Sequence, residues 1–524
     1  MYFNDNNLLF IDYNFIFTKF IYQKIRFIIY YFNIMKKYIY IIVFLCSFYS
    51  LNAQVGIGTT SPDASSVLHI ESTTQGLLPP RMTTVQRVAI TTPANGLMVY
   101  DTTVGSLYYY DTPTVSWVKF TGDKDGRLKF KLIKSTDVLA TVLAAEKTAG
   151  GGTKYLLDTA TLYEINGTIN VDLPIEMNNA YIVGLDSGED KLIRATGDLF
   201  TGATGGSMRI LTLTATAGNL FNLTSPSQTQ SLIVRDCIIR DSNSVGKIEN
   251  FALMFISIVQ YVNNTSGIIY KDIARLLLSN AAWFGSNSGT YETLQGTFAF
   301  IAKQGGFSEV TGAKIGFDVS ANPVITGDAV LETMVFTGVL TTGKYVNGYS
   351  PVTYPGFNFN NNWTISATGI SREGDAQSAG TINMNRSVTQ AVTPLGTQNV
   401  NVKLDIPASV SSNLYRMSAT TNNRITYNGK KGRIFSANAA VSFDASGVGN
   451  TEYLFFFMRI PAAGGTDPQT ASETFIDSNA GYIQSFPIQG SIYLNTGDSV
   501  ELWIRRNNTG AQNFTVKSFN MTLK

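Results

Sequence analysis

Residues 163–184 read YEINGTINVDLPIEMNNAYIVG, and they set the pattern for the middle of the chain. Three short apolar pieces, Tyr163-Glu164-Ile165, Ile169-Asn170-Val171 and Tyr181-Ile182-Val183, are separated by Gly, Asn and Asp, the residues that tolerate tight turns. Comparable apolar centres recur at Ile182, Ile210, Ile233, Leu253, Leu277 and Phe298, spaced 28, 23, 20, 24 and 21 residues apart. Self-similarity at this period is the mark of a solenoid. Three short strands per coil fit the spacing, and eight or so coils stacked at about 4.8 Å give a rod of roughly 40 Å. One coil alone cannot bury its inward residues, whereas stacked neighbours bury them and pair each other's backbone. The expected fold is all-β: a right-handed parallel β-helix with an N-terminal capping helix, followed by a C-terminal jelly-roll β-sandwich. An irregular β-sandwich is the competing reading of the middle region.

Outward on the N-terminal side, one segment has a helical pattern. Ser135 or Thr136 is its expected cap, Asp137 lies in its first turn, Val138, Leu139, Val142 and Leu143 share a face, and Gly150–Gly152 stop it. Such a helix can cover the open end of the first coil, which otherwise exposes apolar side chains and unpaired backbone groups. On the C-terminal side, residues 345–420 are rich in Pro, Asn, Ser and Thr and read as a neck. Beyond them Phe435, Ala437, Ala439, Val441 and Phe443 alternate with polar or small residues, the period of a sandwich strand. Tyr453–Met458 (YLFFFM) is apolar on both faces, which implies a neighbouring subunit on the second face.

The chain opens with an export pattern. Lys36 and Lys37, the apolar run Tyr38–Tyr49 and small Ala53 before Gln54 describe a signal peptide over residues 35–53, cleaved between Ala53 and Gln54. That run is shorter than the roughly 20 residues of a membrane-spanning helix. Residues 1–34 read as translation upstream of the true start and as part of no fold, and the expected destination is extracellular or cell-surface. The remaining expected segments are an attachment or stem module at 54–125, the capping helix and β-helix at 126–344, the neck at 345–420 and the jelly roll at 421–524.

Composition narrows the function classes. After residue 53 the chain carries 34 Lys+Arg against 35 Asp+Glu over 471 residues, which favours neither nucleic acid nor anionic lipid. Only Cys237 remains after cleavage, so an intramolecular disulfide is excluded. His69 is the sole histidine, which removes histidine-based triads and multi-histidine zinc sites by count. Cys237 reads as a small core residue, and Gly202–Gly206 lacks the Lys-Ser/Thr ending of a phosphate loop. No cofactor motif is expected.

Two sets of candidate site residues remain. Asp236, Asp241, Asp272, Glu292, Asp318, Asp328 and Glu332 lie in the solenoid, where stacking can place two carboxylates across a groove, for example Asp272 beside Glu292. Tyr261, Tyr270, Trp283, Phe284 and Tyr291 cluster within thirty residues and are candidates for stacking on sugar rings, or for core packing.

VGIGTTSP at 55–62, LHIESTTQGLLPPRMTTVQRVAI at 68–90 and PANGLMVYDTTVGSLYYYDTPTVSW at 93–117 resemble the N-terminal module of Bacteroidota surface proteins and of phage tail-fibre-like proteins. The resemblance implies a slender, often trimeric stem without catalytic groups. Where that family has D-G-x-x-W, this chain has Asp111-Thr112-Pro113 before Trp117, so its terminal turn differs. YLNTGDSVELWIRRNN at 493–508 resembles late strands of trimeric jelly rolls related to complement and tumour-necrosis-factor domains, and the middle region looks like rods of phage and algal-virus structural proteins. Together these resemblances imply a secreted homotrimer that adheres to surface glycans or other cells. The alternative is a tailspike-like polysaccharide hydrolase or lyase using carboxylates on the rod. A phage virion component is disfavoured by the export pattern.

Overall fold

A computed structural model describes residues 9–46, 54–120, 128–384, 391–407, 409–419, 422–444, 450–478, 482–510 and 513–524. The chain divides into two compact units, Met1–Gly126 and Arg127–Lys524. Ala53, the expected cleavage residue, lies outside the described residues.

The first unit holds a helix, Leu9–Cys46, and a small β module. One continuous helix crosses the expected start at Met35, and its stretch from Ile21 to Cys46 is not buried against the rest of the chain. Its part from Ile21 to Cys46 is long and apolar enough to cross a membrane, so the shortness of Tyr38–Tyr49 does not by itself exclude a span. In the β module, Val55–Ile57 pairs in parallel with Leu68–Ile70. Arg81–Met82, Met98–Asp101, Ser106–Asp111 and Ser116–Lys119 form a second sheet. A short helix, Thr84–Val88, is closed by a Thr83–Gln86 capping box. Arg87 on that helix pairs with buried Asp101 at 2.9 Å and lies 4.0 Å over the Tyr108 ring.

The second unit begins with the solenoid. Its two walls are a thirteen-stranded sheet and a nine-stranded sheet, and every strand pair in them is parallel. Register makes the stacking explicit: Tyr163, Ile182, Met208, Val234, Ile256 and Leu278 follow one another up the inner face of the first wall. All six are buried, and a fully buried side chain of this size contributes about 1.5–3 kcal/mol. From Ser231–Arg240 onward two strands of each coil fuse into one long strand bent by a left-handed residue. That corner is occupied in turn by Asp236, Ile258, Asn280, Gly305 and Thr333 (φ 53°, 53°, 52°, 67° and 55°).

Four expectations need correction here. Of the apolar centres, Ile182 and Phe298 face the core, whereas Ile233, Leu253 and Leu277 point outward between buried neighbours and Ile210 sits at a left-handed corner. The capping helix is two short pieces, Leu139–Val142 and Ala144–Ala149, with Val138 and not Ser135 or Thr136 at the N-cap, because Asp137 accepts the Lys134 N–H and ties off the preceding strand instead. It still covers the end of the core, where Leu139 and Leu143 meet Ile133, Leu157, Tyr163 and Ile165. Beneath it Glu146 accepts from Lys131 at 2.6 Å and from Tyr163 at 2.9 Å.

Residues 345–420 are no separate neck. Lys344–Asn347 and Trp363–Thr368 complete the two solenoid walls, and the strands from Ala379 onward belong to the terminal sandwich. The Asn-rich run serves as hydrogen-bonding groups within that last coil, for example Asn362 to the Ile325 carbonyl at 2.8 Å. Among the described residues the sandwich is two antiparallel six-stranded sheets. Phe435, Ala437, Val441 and Phe443 enter its core as the alternation predicts. On YLFFFM, the second face (Leu454, Phe456 and Met458) is buried within one chain against Ile460 and Trp503, so that stripe is not left bare for a neighbour.

Candidate functional site

The carboxylates are dispersed by the same corners that shape the coils. Asp236, Asp241 and Asp272 have φ of 53°, 51° and 51°, a conformation Asp tolerates better than most residues. Asp236 lies 3.4 Å from Arg235. Asp241 accepts from Arg240 at 2.6 Å and from Asn263 at 2.7 Å, and these bonds outweigh its burial and hold its carboxyl below the usual range. Asp272 accepts the Thr297 N–H of the next coil at 2.8 Å. It does not stand beside Glu292, whose lateral partners are Ile268 and Phe317.

Asp318 accepts from Ser320 and Asn347, and Glu332 accepts from Gln304 at 2.6 Å. Asp328 reaches out of the solenoid to Lys430 of the sandwich at 2.7 Å, and that hydrogen bond keeps its carboxyl below the ordinary value. Each of these groups thus has a structural partner at a turn or a joint.

Glu292 is different. It is fully buried, pairs with buried Lys303 at 2.7 Å and faces the interior with Tyr261 and Tyr270. Burial first pushes both tyrosine hydroxyls far above their ordinary range, and the charge of Glu292 adds to the shift at each. Tyr261 stacks on Trp283 at 3.8 Å, and Trp283 on Tyr291 at 5.1 Å. Tyr261, Tyr270, Trp283 and Tyr291 are all 0 % exposed, so their ring faces are covered by the coil and no sugar can stack on them. That corrects the binding reading of the aromatic cluster: large rings fill the section of solenoid where Glu292 and Lys303 bring polar groups inside. Cys237 is also buried, and burial lifts its thiol to about 12, which leaves it without thiolate character. His69, in the β module, accepts the Asp63 N–H at 3.1 Å.

The surface that sequence reading passed over is on the sandwich. Arg433–Asp444 pairs with Ile483–Leu494 on one side and Asn513–Leu523 on the other. Their outer faces carry short uncharged side chains around a shallow concavity of about 370 Å³ bounded by Ala440, Ser442, Ser485, Pro487, Ser518 and Asn520. Ser442 and Ser485 are bonded across the strands at 2.7 Å, and Ala440 lies opposite both Pro487 and Asn520. Hydroxyls and amides flanked by small apolar groups suit hydrogen bonding to a polyhydroxylated ligand together with contact to its C–H faces. In sequence these residues look like any wet strand face; only the pairing of three strands brings them to one place.

The sandwich is fixed to the end of the solenoid. Arg416, buried, donates to the Trp363 carbonyl at 2.5 Å and to Asp375 at 2.6 Å. Lys430 donates to the Gly327 carbonyl and to Asp328, and Asn361 to the Asn428 carbonyl at 2.7 Å.

No curated protein matches the sequence. Among solved structures, the Eiger TNF of S. frugiperda is 15% identical and covers 28% of this chain and 91% of its own, at a TM-score of 0.20. The enzymatically active domain of bacteriophage CBA120 tailspike protein 4 is 10% identical over 85% of this chain and 77% of its own (TM-score 0.24). The tailspike protein of Acinetobacter baumannii phage AM24 is 9% identical over 84% and 93% (TM-score 0.22). Residues 56–136 match the family model described as a phage tail like trimerisation region.

Proposed function

We propose that this protein is an exported, non-enzymatic adhesion device, in the manner of the Bacteroidota surface proteins that its N-terminal motifs resemble. The segment around residues 56–136 holds three copies together, the solenoid acts as a stiff spacer, and the sandwich presents its Ser/Asn face to glycans on another surface. The observation that carries this reading is the joint between spacer and tip. Arg416 on the sandwich bonds the Trp363 carbonyl on the last rung of the solenoid, so tip and spacer are joined within one compact unit. The match to a trimerisation region supports the oligomer, and three weak sites on one body gain avidity without a deep pocket. The apolar N-terminal helix followed by Gln54 supports export.

The full chain is to be tested on immobilised bacterial and algal polysaccharides. Binding that falls about tenfold in Ser485→Arg, at unchanged mass and fold, is the expected result. Release of new reducing ends by the wild-type chain, lost on replacing one of Asp236, Asp241 or Asp318, overturns it in favour of a polysaccharide-cleaving enzyme.

A further inference from the structure

The first wall of the solenoid carries one apolar column on its outside, beside the apolar inside. Strand register places Phe130, Leu162, Tyr181, Ile233, Phe255 and Leu277 in one outward column. Ser207 is the one polar break along it before its last rung, and the column continues through Ala302 and Val330 to exposed Thr364. These residues alternate with the fully buried inner ladder and, Thr364 apart, are themselves half-buried or, at Tyr181, 50% exposed. The other wall is built differently. There the outward column runs Thr201, Asn222, Lys247, Ile269, Thr293 and Asp318, polar at all but one rung.

A strand that meets water on its outer face alternates apolar with polar residues, and a strand covered on both faces does not. We infer that the outward column of the first wall is the seam along which the solenoids of two further copies of this chain pack. The inference rests on the trimer reading given above and names its contact surface.

Three features of the column point to a second copy as the occupant. It spans about 40 Å at the spacing of stacked strands, so a surface of equal length and rung spacing is needed, which another copy supplies in register. Its first rung, Phe130, lies inside the residues that match a trimerisation region, so the column starts where that match ends. Its borders also have the anatomy of an interface: Arg209, Arg235, Gln304 and Glu332 form a polar rim on one side. With the flanking columns the stripe is about 14 Å wide, which gives roughly 500 Å² per copy and about 1,500 Å² in all over a seam shared by three copies, within the range of total area that a specific interface buries.

The test uses the full chain with exposed Cys46 replaced by Ser, buried Cys237 kept, and one new thiol at a time: Leu277→Cys or Ile233→Cys on the column, Thr293→Cys on the polar wall. Light scattering gives the mass, and a short bismaleimide reports proximity between copies. A triple mass with rapid covalent dimers from both column thiols and little from Thr293→Cys is expected. A triple mass without cross-linking at the column, or with equally fast cross-linking at Thr293→Cys, overturns the seam and leaves the trimer standing. A single mass overturns the trimer and the seam with it.

Discussion

Glu292 and Lys303 meet at 2.7 Å inside the solenoid, each occupying a rung that the coils above and below fill with an apolar side chain. Glu292 stands between Ile268 and Phe317, and Lys303 between Leu278 and Leu331. Stacked coils of similar sequence can slip past one another by a rung, and one inward charge on each wall admits only the register in which the charges meet. Desolvation offsets most of the attraction in such a pair, so its contribution lies in specifying register rather than in net stability.

Removing either charge alone is therefore costly. Glu292→Gln or Lys303→Met should destabilise the solenoid by about 3 kcal/mol, the usual consequence of leaving a buried charge uncompensated. The double variant Glu292→Met/Lys303→Met should recover most of that loss. Urea unfolding followed by circular dichroism measures all three, and additive losses would sink the pairing.

The left-handed corner column makes a second expectation. Ile258 adopts φ 53° while the residue is 52% exposed, so it bears the strain of a β-branched residue in this region without the return of full burial. The equivalent position one coil later is Asn280, which tolerates the conformation. Ile258→Asn should raise stability by about 0.5–1 kcal/mol, measured as a higher urea midpoint at unchanged slope. A drop in midpoint would show that Ile258 is packed in the assembled protein.

What the sequence showed of this fold depends on how each element is specified. The solenoid was legible because turn residues punctuate it at every coil, and the sandwich because Phe435–Phe443 alternates cleanly. Which way Ile233 and Leu277 face was not, because each sits between two inward apolar neighbours and the run Leu232–Val234 or Leu276–Leu278 is apolar without a break. The separate neck misled for a related reason: Asn362 and Pro-rich neighbours look like linker, yet they close the last coil around Trp363. Glu292 read as a groove carboxylate beside Asp272, since its partner Lys303 lies across the coil and only the closed ring brings them together. The tip face around Ser442 and Ser485 had no local signal at all, being assembled from strands far apart in the chain.

The joint between solenoid and tip should respond to pH. Burial raises the Glu373 carboxyl to about 7 from an ordinary 4.5, against the pull of the Asn358 and Phe359 N–H groups and the Arg416 charge. Between these two values the folded state holds a proton that the unfolded state has released, so stability falls as pH rises through that window. The full penalty, present above about pH 7, is about 3 kcal/mol at roughly 1.4 kcal/mol per unit. Unfolding of the second unit at pH 5 and pH 8 should differ in this direction, and Glu373→Gln should flatten the difference. A stability that rises with pH across the window would contradict the assignment.

Arg416 is the remaining lever on that joint. Its guanidinium is 2% exposed on the side chain and joins the Trp363 carbonyl to Asp375, while Asp375 also accepts the Lys430 and Lys431 N–H groups. Arg416→Met keeps the length of the side chain but takes a donor from the buried Trp363 carbonyl and the paired cation from Asp375, so the joint should lose about 3 kcal/mol. The loss should be local: amide exchange should quicken in Trp363–Thr368 and around Lys430, while strands such as Leu253–Val262 keep their protection. If exchange quickened evenly through both parts, Arg416 would be a general core residue and the tip would not be held to the spacer by this contact.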